Sequence, residues 1–345
     1  MKKFHIQWHI LNRCNLRCKH CYQKDYTNKD ELTLDQLKKI ADNLDLSMKK
    51  QKSKLNLLLT GGEPLLREDI FELMEYLEKK KNIEQVDIIT NATLIKYKIN
   101  ELKRFKKCKT ILFSLDGISK KTNDNIRGEG VFNKVLEQIQ YIDAKRFKKI
   151  LMFTLSKQNY EDAFRLLEFG KENNLDGIII EKLIPMGQSE DEFSLVITKD
   201  MLKRLYDYLL TQNGYDTFKS YEYRALKVEF NEIKGIKFRI KNNNFFNKIG
   251  VRIKVANCIV ARDGAAIMPD GSIFPCRRLP VILGNLLKNR FNEIFENSVI
   301  LKDLINRKKL KGKCKDCESL DCFGCRAMVY AVKKDLFKED PHCWK

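Results

Sequence analysis

The sequence predicts an α/β protein. Six strand–helix repeats form a parallel sheet, open or curled into a partial (β/α)6 barrel, and a small cysteine-rich domain follows. Two observations predict this. Short apolar runs alternate with amphipathic stretches from residue 4 to about 181, and seven of the eleven cysteines fall after residue 257. The chain between 22 and 257 holds only Cys108. The expected organisation is a barrel over 1–190, a bridging region over 191–255 and a cysteine-rich domain over 256–345.

Strands are expected at 4–11, 55–60, 85–90, 110–115, 149–155 and 176–181. The first shows period-two alternation, with Phe4, Ile6, Trp8 and Ile10 against His5, Gln7 and His9. Between strands, 33–46 carries Leu34, Leu37, Ile40, Ala41 and Leu44 on one helical face, and 69–80 carries Ile70, Leu73, Met74 and Leu77. In such folds the site lies at the C-terminal ends of the strands. A helix near 198–211 leads into a basic, Asn-rich stretch through Lys241 to Asn244 without a clean period. Ala265 to Pro275 reads as strand, turn and strand, with Pro269-Asp270-Gly271 as the turn. Cys108 ends a helical pattern and is expected to be a buried structural thiol.

Hydrophobic residues make up 43% of the 345, enough for a sizeable core, which excludes global disorder. The net charge of +20 is spread along the chain as lysines, and it suits either a solvated surface or acidic partners. No run of eighteen apolar residues exists, so no membrane span is expected. The start alternates and does not resemble a secretory core, so a cytoplasmic location is expected. Disulfides are rare there, and clustered thiolates therefore point to metal.

Cys14, Cys18 and Cys21 follow the first strand directly. Three thiolates this close can ligate three irons of a cubane cluster and leave the fourth iron open. A zinc site would need a fourth ligand, which His20 can supply only from the same cramped loop.

This Cys-x3-Cys-x2-Cys loop after the first of six βα repeats resembles the radical S-adenosylmethionine (radical SAM) superfamily. The resemblance runs from residue 4 to about 187 and implies a partial (β/α)6 TIM-like barrel. Thr60-Gly61-Gly62-Glu63-Pro64 is similar to the family's Gly-Gly-Glu-Pro motif, which binds the methionine amino group. Glycines there let backbone carbonyls approach a ligand, and Glu63 can accept a bond from an ammonium. Asn91, at the end of the third strand, and Ser114 and Asp116, at the end of the fourth, resemble the polar strand ends that contact SAM. These residue types also favour helix and turn caps. Arg127 resembles the arginine pairing with the SAM carboxylate. His20 takes the ring position against the adenine, and Ile184-Pro185-Met186-Gly187 the segment whose backbone contacts it.

Cys258, Cys276, Cys314, Cys317, Cys322, Cys325 and Cys343 form the C-terminal set. Only four residues separate the pairs Cys314–Cys317 and Cys322–Cys325, too few for one zinc ribbon, and seven thiolates suit two iron–sulfur clusters. The set resembles the SPASM extension, with two auxiliary [4Fe-4S] clusters. By order, the resemblance implies Cys258, Cys276 and Cys325 for the first, and Cys314, Cys317, Cys322 and Cys343 for the second. The gaps of four and two residues between Cys317, Cys322 and Cys325 are each one shorter than the family's usual pattern. No extra cysteine occurs from Ile259 to Gly264, so either a non-cysteine ligand or water completes the first auxiliary cluster, or an open iron binds substrate.

The resemblance implies a radical SAM oxidoreductase that reductively cleaves SAM to a 5′-deoxyadenosyl radical, which abstracts hydrogen from its substrate. The leading expectation is a ribosomal peptide or protein substrate, crosslinked or oxidised at a side chain. The chain starts about ten residues before the cluster loop, so a separate recognition protein or direct binding is expected. A small molecule such as a tetrapyrrole is the alternative, and a metal-stabilised nucleic-acid-binding protein a remote one. An acidic flavodoxin or ferredoxin is the expected electron donor, steered by the basic surface. No residue stands out as a catalytic acid or base.

Overall fold

The computed structural model describes residues 1–211, 225–230, 251–256, 258–318 and 322–344. Its sheet starts with β1 (Lys3–His9), in which Phe4, Ile6 and Trp8 are buried. It continues through β2 (Lys54–Thr60), β3 (Ile83–Thr90), β4 (Thr110–Ser114), β5 (Lys148–Leu155) and β6 (Gly177–Lys182). These six pair in chain order and every pair is parallel. Each lies within two residues of the stretch its apolar run predicts.

Parallel neighbours need crossovers, and helices supply them. They are α1 (Leu34–Lys50), α2 (Ile70–Glu78), α3 (Ile95–Leu102), α4 (Lys120–Arg127), α5 (Val131–Ile139) and α6 (Leu166–Glu172), followed by α7 (Lys199–Thr211). A capping box starts α1: Thr33 Oγ1 accepts from Gln36 N–H and Gln36 Oε1 from Thr33 N–H. The helix runs four residues past its expected end because Met48 extends the buried face of Leu37, Ile40, Ala41 and Leu44. Cys108 is fully buried, as expected, and burial pushes its thiol up to about 12.

Both edges of the sheet are extended. Beyond β6, β7 (Ala225–Phe230) and β8 (Val251–Ala256) add antiparallel strands within the stretch expected to be an irregular bridge. These runs are short and set among basic and Asn-rich residues, which hides them from a periodicity count. The Lys241–Asn244 segment lies outside the described residues. At the other edge, β9 (Gly264–Ile267) pairs parallel with β1, and β10 (Ser272–Phe274) and β11 (Gly284–Asn285) follow antiparallel. The expected turn joins β9 and β10: Ser272 N–H and its hydroxyl donate to Asp270, and Gly271 takes φ +81°. The result is an eleven-stranded sheet with β11 and β8 at its ends.

Helices α8 (Phe291–Asn297), α9 (Val299–Leu304) and α10 (Arg326–Lys333) complete the chain. Asn43 of α1 fastens this C-terminal part to the barrel. Its Nδ2 donates to the carbonyls of Leu286 and Asn289, and its Oδ1 accepts from Phe291 N–H. Phe291 and Phe295 meet Phe4 edge-on at 5.6 and 5.3 Å between ring centres. No helix among the described residues is long and apolar enough to cross a membrane.

Candidate functional site

The loop after β1 is laid across the end of β2 by backbone bonds. Ile10 N–H donates to Thr60 O, Gly62 N–H to Leu11 O and Glu63 N–H to Arg13 O, at 2.9–3.1 Å. This approach dictates the glycines. A Cβ on Gly61 (φ +148°) would sit 2.3 Å from Leu11 O, and one on Gly62 2.2 Å from Arg13 O. The two glycines are thus required by the protein's own cysteine loop.

Cys14, Cys18 and Cys21 border one cavity together with His20, Gly61, Gly62, Asn91, Ser114 and Arg127. All three thiols are free and half-buried. Cys14 Sγ accepts from Leu16 N–H at 3.4 Å and Asn91 Nδ2 at 3.8 Å, and Arg127 Nη1 lies 4.0 Å from Cys18 Sγ. Burial pushes both thiols up, Cys18 to about 11 against the pull of Arg127, so a metal must displace protons to bind. Thiols spread around a shared cavity fit a polynuclear cluster.

Four expected contacts stand elsewhere than on the cavity wall. Glu63 is fully buried: its carboxylate accepts from Leu65 N–H, the Thr90 hydroxyl and Asn91 N–H at 3.1, 2.8 and 2.7 Å. Burial outweighs these bonds and raises it to about 7. Asp116, also fully buried, meets Arg127 Nη2 at 2.6 Å and His20 Nε2 at 2.9 Å, and accepts from Thr154 N–H. Burial opposes its ionisation, but Arg127 and His20 prevail and hold it at about 2. Pro64 opens a short 3-10 turn. Met186 packs in a small apolar cluster with Ile184 and Met328, and just beyond it Gln188 N–H donates to Cys21 O, closing the segment onto the cysteine loop.

The sequence reading missed Tyr22, Lys182, Arg277 and Arg278, which also line the cavity. The Tyr22 hydroxyl donates to Gly61 O at 3.0 Å, and the Arg277 guanidinium lies 5.4 Å from its ring centre. Arg277 and Arg278 share Glu181 at 2.8 and 3.3 Å. A signal existed, since both arginines directly follow Cys276, but an evenly spread +20 charge masked it. Among its described lining residues the cavity has four cations, Arg127, Lys182, Arg277 and Arg278, and no Asp or Glu.

None of the C-terminal cysteines forms a disulfide, and all are half-buried. Cys276 and Cys325, two of the expected first-auxiliary ligands, pack against the same small apolar cluster, and Arg278 lies near both thiols. Arg307 donates to the carbonyls of Cys317 and Cys322, and Arg326 Nη2 approaches Cys314 Sγ at 4.0 Å. Asp340 accepts from Cys325 N–H, and its carbonyl from Cys343 N–H. A segment so poor in its own core, with cysteines bound to its turns, fits metal stabilisation.

A parallel barrel with a three-cysteine loop at its C-terminal rim and a cysteine-rich extension has the donor layout of an iron–sulfur enzyme. Residues 8–170 match the radical SAM superfamily and residues 258–318 an iron–sulfur cluster-binding (SPASM) domain. The AdoMet-dependent heme synthase of Methanosarcina barkeri is 30% identical over 98% of this chain and 95% of its own length. Mycofactocin maturase MftC of Mycobacterium tuberculosis is 25% identical over 98% and 82%. Among solved structures, Streptococcus suis SuiB bound to its precursor peptide SuiA superposes with a TM-score of 0.70 at 19% identity, covering all of this chain and 76% of SuiB. This chain belongs to the radical SAM superfamily. It is an enzyme that uses a [4Fe-4S] cluster with SAM, and its C-terminal domain carries auxiliary iron–sulfur clusters.

Proposed function

We propose that this enzyme acts on a carboxylate-bearing tetrapyrrole and oxidises one of its side chains. The observation that carries the reading is the match to a heme synthase along nearly the whole of both chains. A cavity whose four lining cations outnumber the carboxylates paired with them, Asp116 and Glu181, supports it. SAM bound to the cluster supplies hydrogen abstraction from an unactivated C–H bond.

In this reading Cys14, Cys18 and Cys21 hold the SAM-binding cluster. Cys258, Cys276 and Cys325 hold the first auxiliary cluster, and Cys314, Cys317, Cys322 and Cys343 the second. His20, Gly61, Gly62, Asn91, Ser114 and Arg127 face SAM, while Glu63, Pro64, Asp116 and Met186 keep those residues in position. Asp116 has two duties: it fixes the His20 ring through Nε2, and it neutralises Arg127. An acidic flavodoxin or ferredoxin suits the +20 surface as electron donor.

A peptide substrate ranks second, supported by the similarity to mycofactocin maturase. The test is anaerobic incubation of reconstituted protein with SAM and reductant, with either iron coproporphyrin III or an acidic peptide. The expected result is 5′-deoxyadenosine formation stimulated by the porphyrin, with a porphyrin product lacking carbon dioxide and two hydrogens. One hydrogen atom leaves on 5′-deoxyadenosine, the carboxyl proton goes to solvent and the remaining electron to an auxiliary cluster. Stimulation by the peptide alone would reverse the ranking.

A further inference from the structure

Lys182 is the last residue of β6. It is 3% exposed, it lines the cavity shared with the three cysteines, and its ammonium has no hydrogen-bond partner among the described residues. An unpaired buried ammonium is costly, and proteins keep one where a ligand supplies the counter-charge. Against burial, the nearby Asp340 carboxylate is lowered by the charge of Lys182, yet it makes no hydrogen bond to the ammonium. Asp340 already accepts from the N–H groups of Cys325 and His342. Arg278 donates to the Lys182 carbonyl, and it shares Glu181 with Arg277. Three cations thus face two carboxylates, Glu181 and Asp340.

Arg278 also lies near the thiols of Cys276 and Cys325, so Lys182 and Arg277 carry the one positive charge in excess of the two carboxylates. Both belong to the part of the wall formed by β6 and the Cys276 segment. Arg127, by contrast, comes from α4 and lies beside Cys18.

We propose that Lys182 and Arg277 form an anion subsite that grips a carboxylate of the substrate and so sets which part of it faces the cysteine loop. This rests on the tetrapyrrole reading and adds the residues that select the acid. A carboxylate can come from two sources, the substrate or the methionine end of SAM, and the experiment separates them.

Cluster-loaded wild type, Lys182→Gln and Arg277→Gln are titrated with iron coproporphyrin III, with its tetramethyl ester and, separately, with SAM. Porphyrin binding is read from the Soret band and SAM binding from equilibrium dialysis. Wild type is expected to bind the acid at least about tenfold more tightly than the ester. Either substitution is expected to remove that preference while leaving ester and SAM affinities unchanged, and Lys182→Arg to retain most of it.

Equal losses for acid and ester would overturn the inference, because they would mark a structural role. A loss confined to SAM would overturn it by assigning the carboxylate to the cofactor. Acid binding indifferent to esterification and to both substitutions would overturn it while the tetrapyrrole reading stands. Wild type binding neither porphyrin would remove that reading and the inference with it.

Discussion

The carboxylate of Glu63 accepts the backbone N–H of Asn91 at 2.7 Å, tying the end of β2 to the end of β3. A residue expected to reach a ligand also holds two walls of the cavity together. Its carboxyl is raised from an ordinary value of 4.5 to about 7 by burial. Such a group binds its proton more tightly folded than unfolded. Its contribution is therefore full below about pH 4.5 and decays as pH rises through about 7, a change of about 3 kcal/mol. The expected outcome is a melting temperature that falls from about pH 5 to about pH 8. Anaerobic calorimetry of Glu63→Gln should give a flatter profile, and parallel profiles would refute this account.

Asp116 neutralises a buried guanidinium. Asp116→Asn leaves Arg127 without its counter-charge, and a loss of about 3–5 kcal/mol is expected. Adding Arg127→Met should restore part of it, since the pair is then removed together. Denaturant midpoints of the two single variants and the double variant check this, and strictly additive losses would contradict it.

Gly62 has no room for a methyl group, because Arg13 O and Asn12 O would lie 2.2 and 2.4 Å from it. Gly62→Ala must push the cysteine loop outward. The expected effect is SAM affinity weakened about tenfold or more with the auxiliary clusters retained. Equilibrium dialysis and iron analysis measure the two effects separately.

Replacing Cys14, Cys18 and Cys21 by Ala should remove about four of about twelve irons per chain. It should also abolish 5′-deoxyadenosine formation. Loss of all iron would instead mean that the C-terminal sites depend on the first.

Asn43 spends both ends of its amide on the chain around α8. Asn43→Ala should cost about 2–3 kcal/mol. Because the bonds lost are local to this junction, limited proteolysis should cut the 284–298 stretch faster than any barrel loop. An unchanged cleavage pattern would show that the aromatic packing of Phe4 with Phe291 and Phe295 suffices.

The six barrel strands were legible because each is a short apolar run set between amphipathic helices. The cavity wall was legible wherever a motif carried it, as with Cys14, Cys18, Cys21 and the paired glycines. Two kinds of feature were not. The β1–β9 pairing joins His5 to Gly264, and parallel pairing across most of a chain leaves no local pattern at either partner. Lys182 belongs to no motif, and one lysine among 66 Lys and Arg cannot be singled out until burial does so. For Glu63 and Asp116, a carboxylate at a strand end reads the same whether it serves a ligand or the neighbouring strand. Only the distances to Asn91 and Arg127 reveal the second partner.

The late position of β9 bears on how the polypeptide matures. A chain growing from its N-terminus can assemble β1 to β6 early, but the outer edge of β1 has no neighbour until residues 264–267 have been made. Until then the strand that carries the cysteine loop offers open backbone groups to any other extended segment, including those of sister chains. Synthesis of residues 264–267, not collapse of the first six strands, is therefore what first shields that edge.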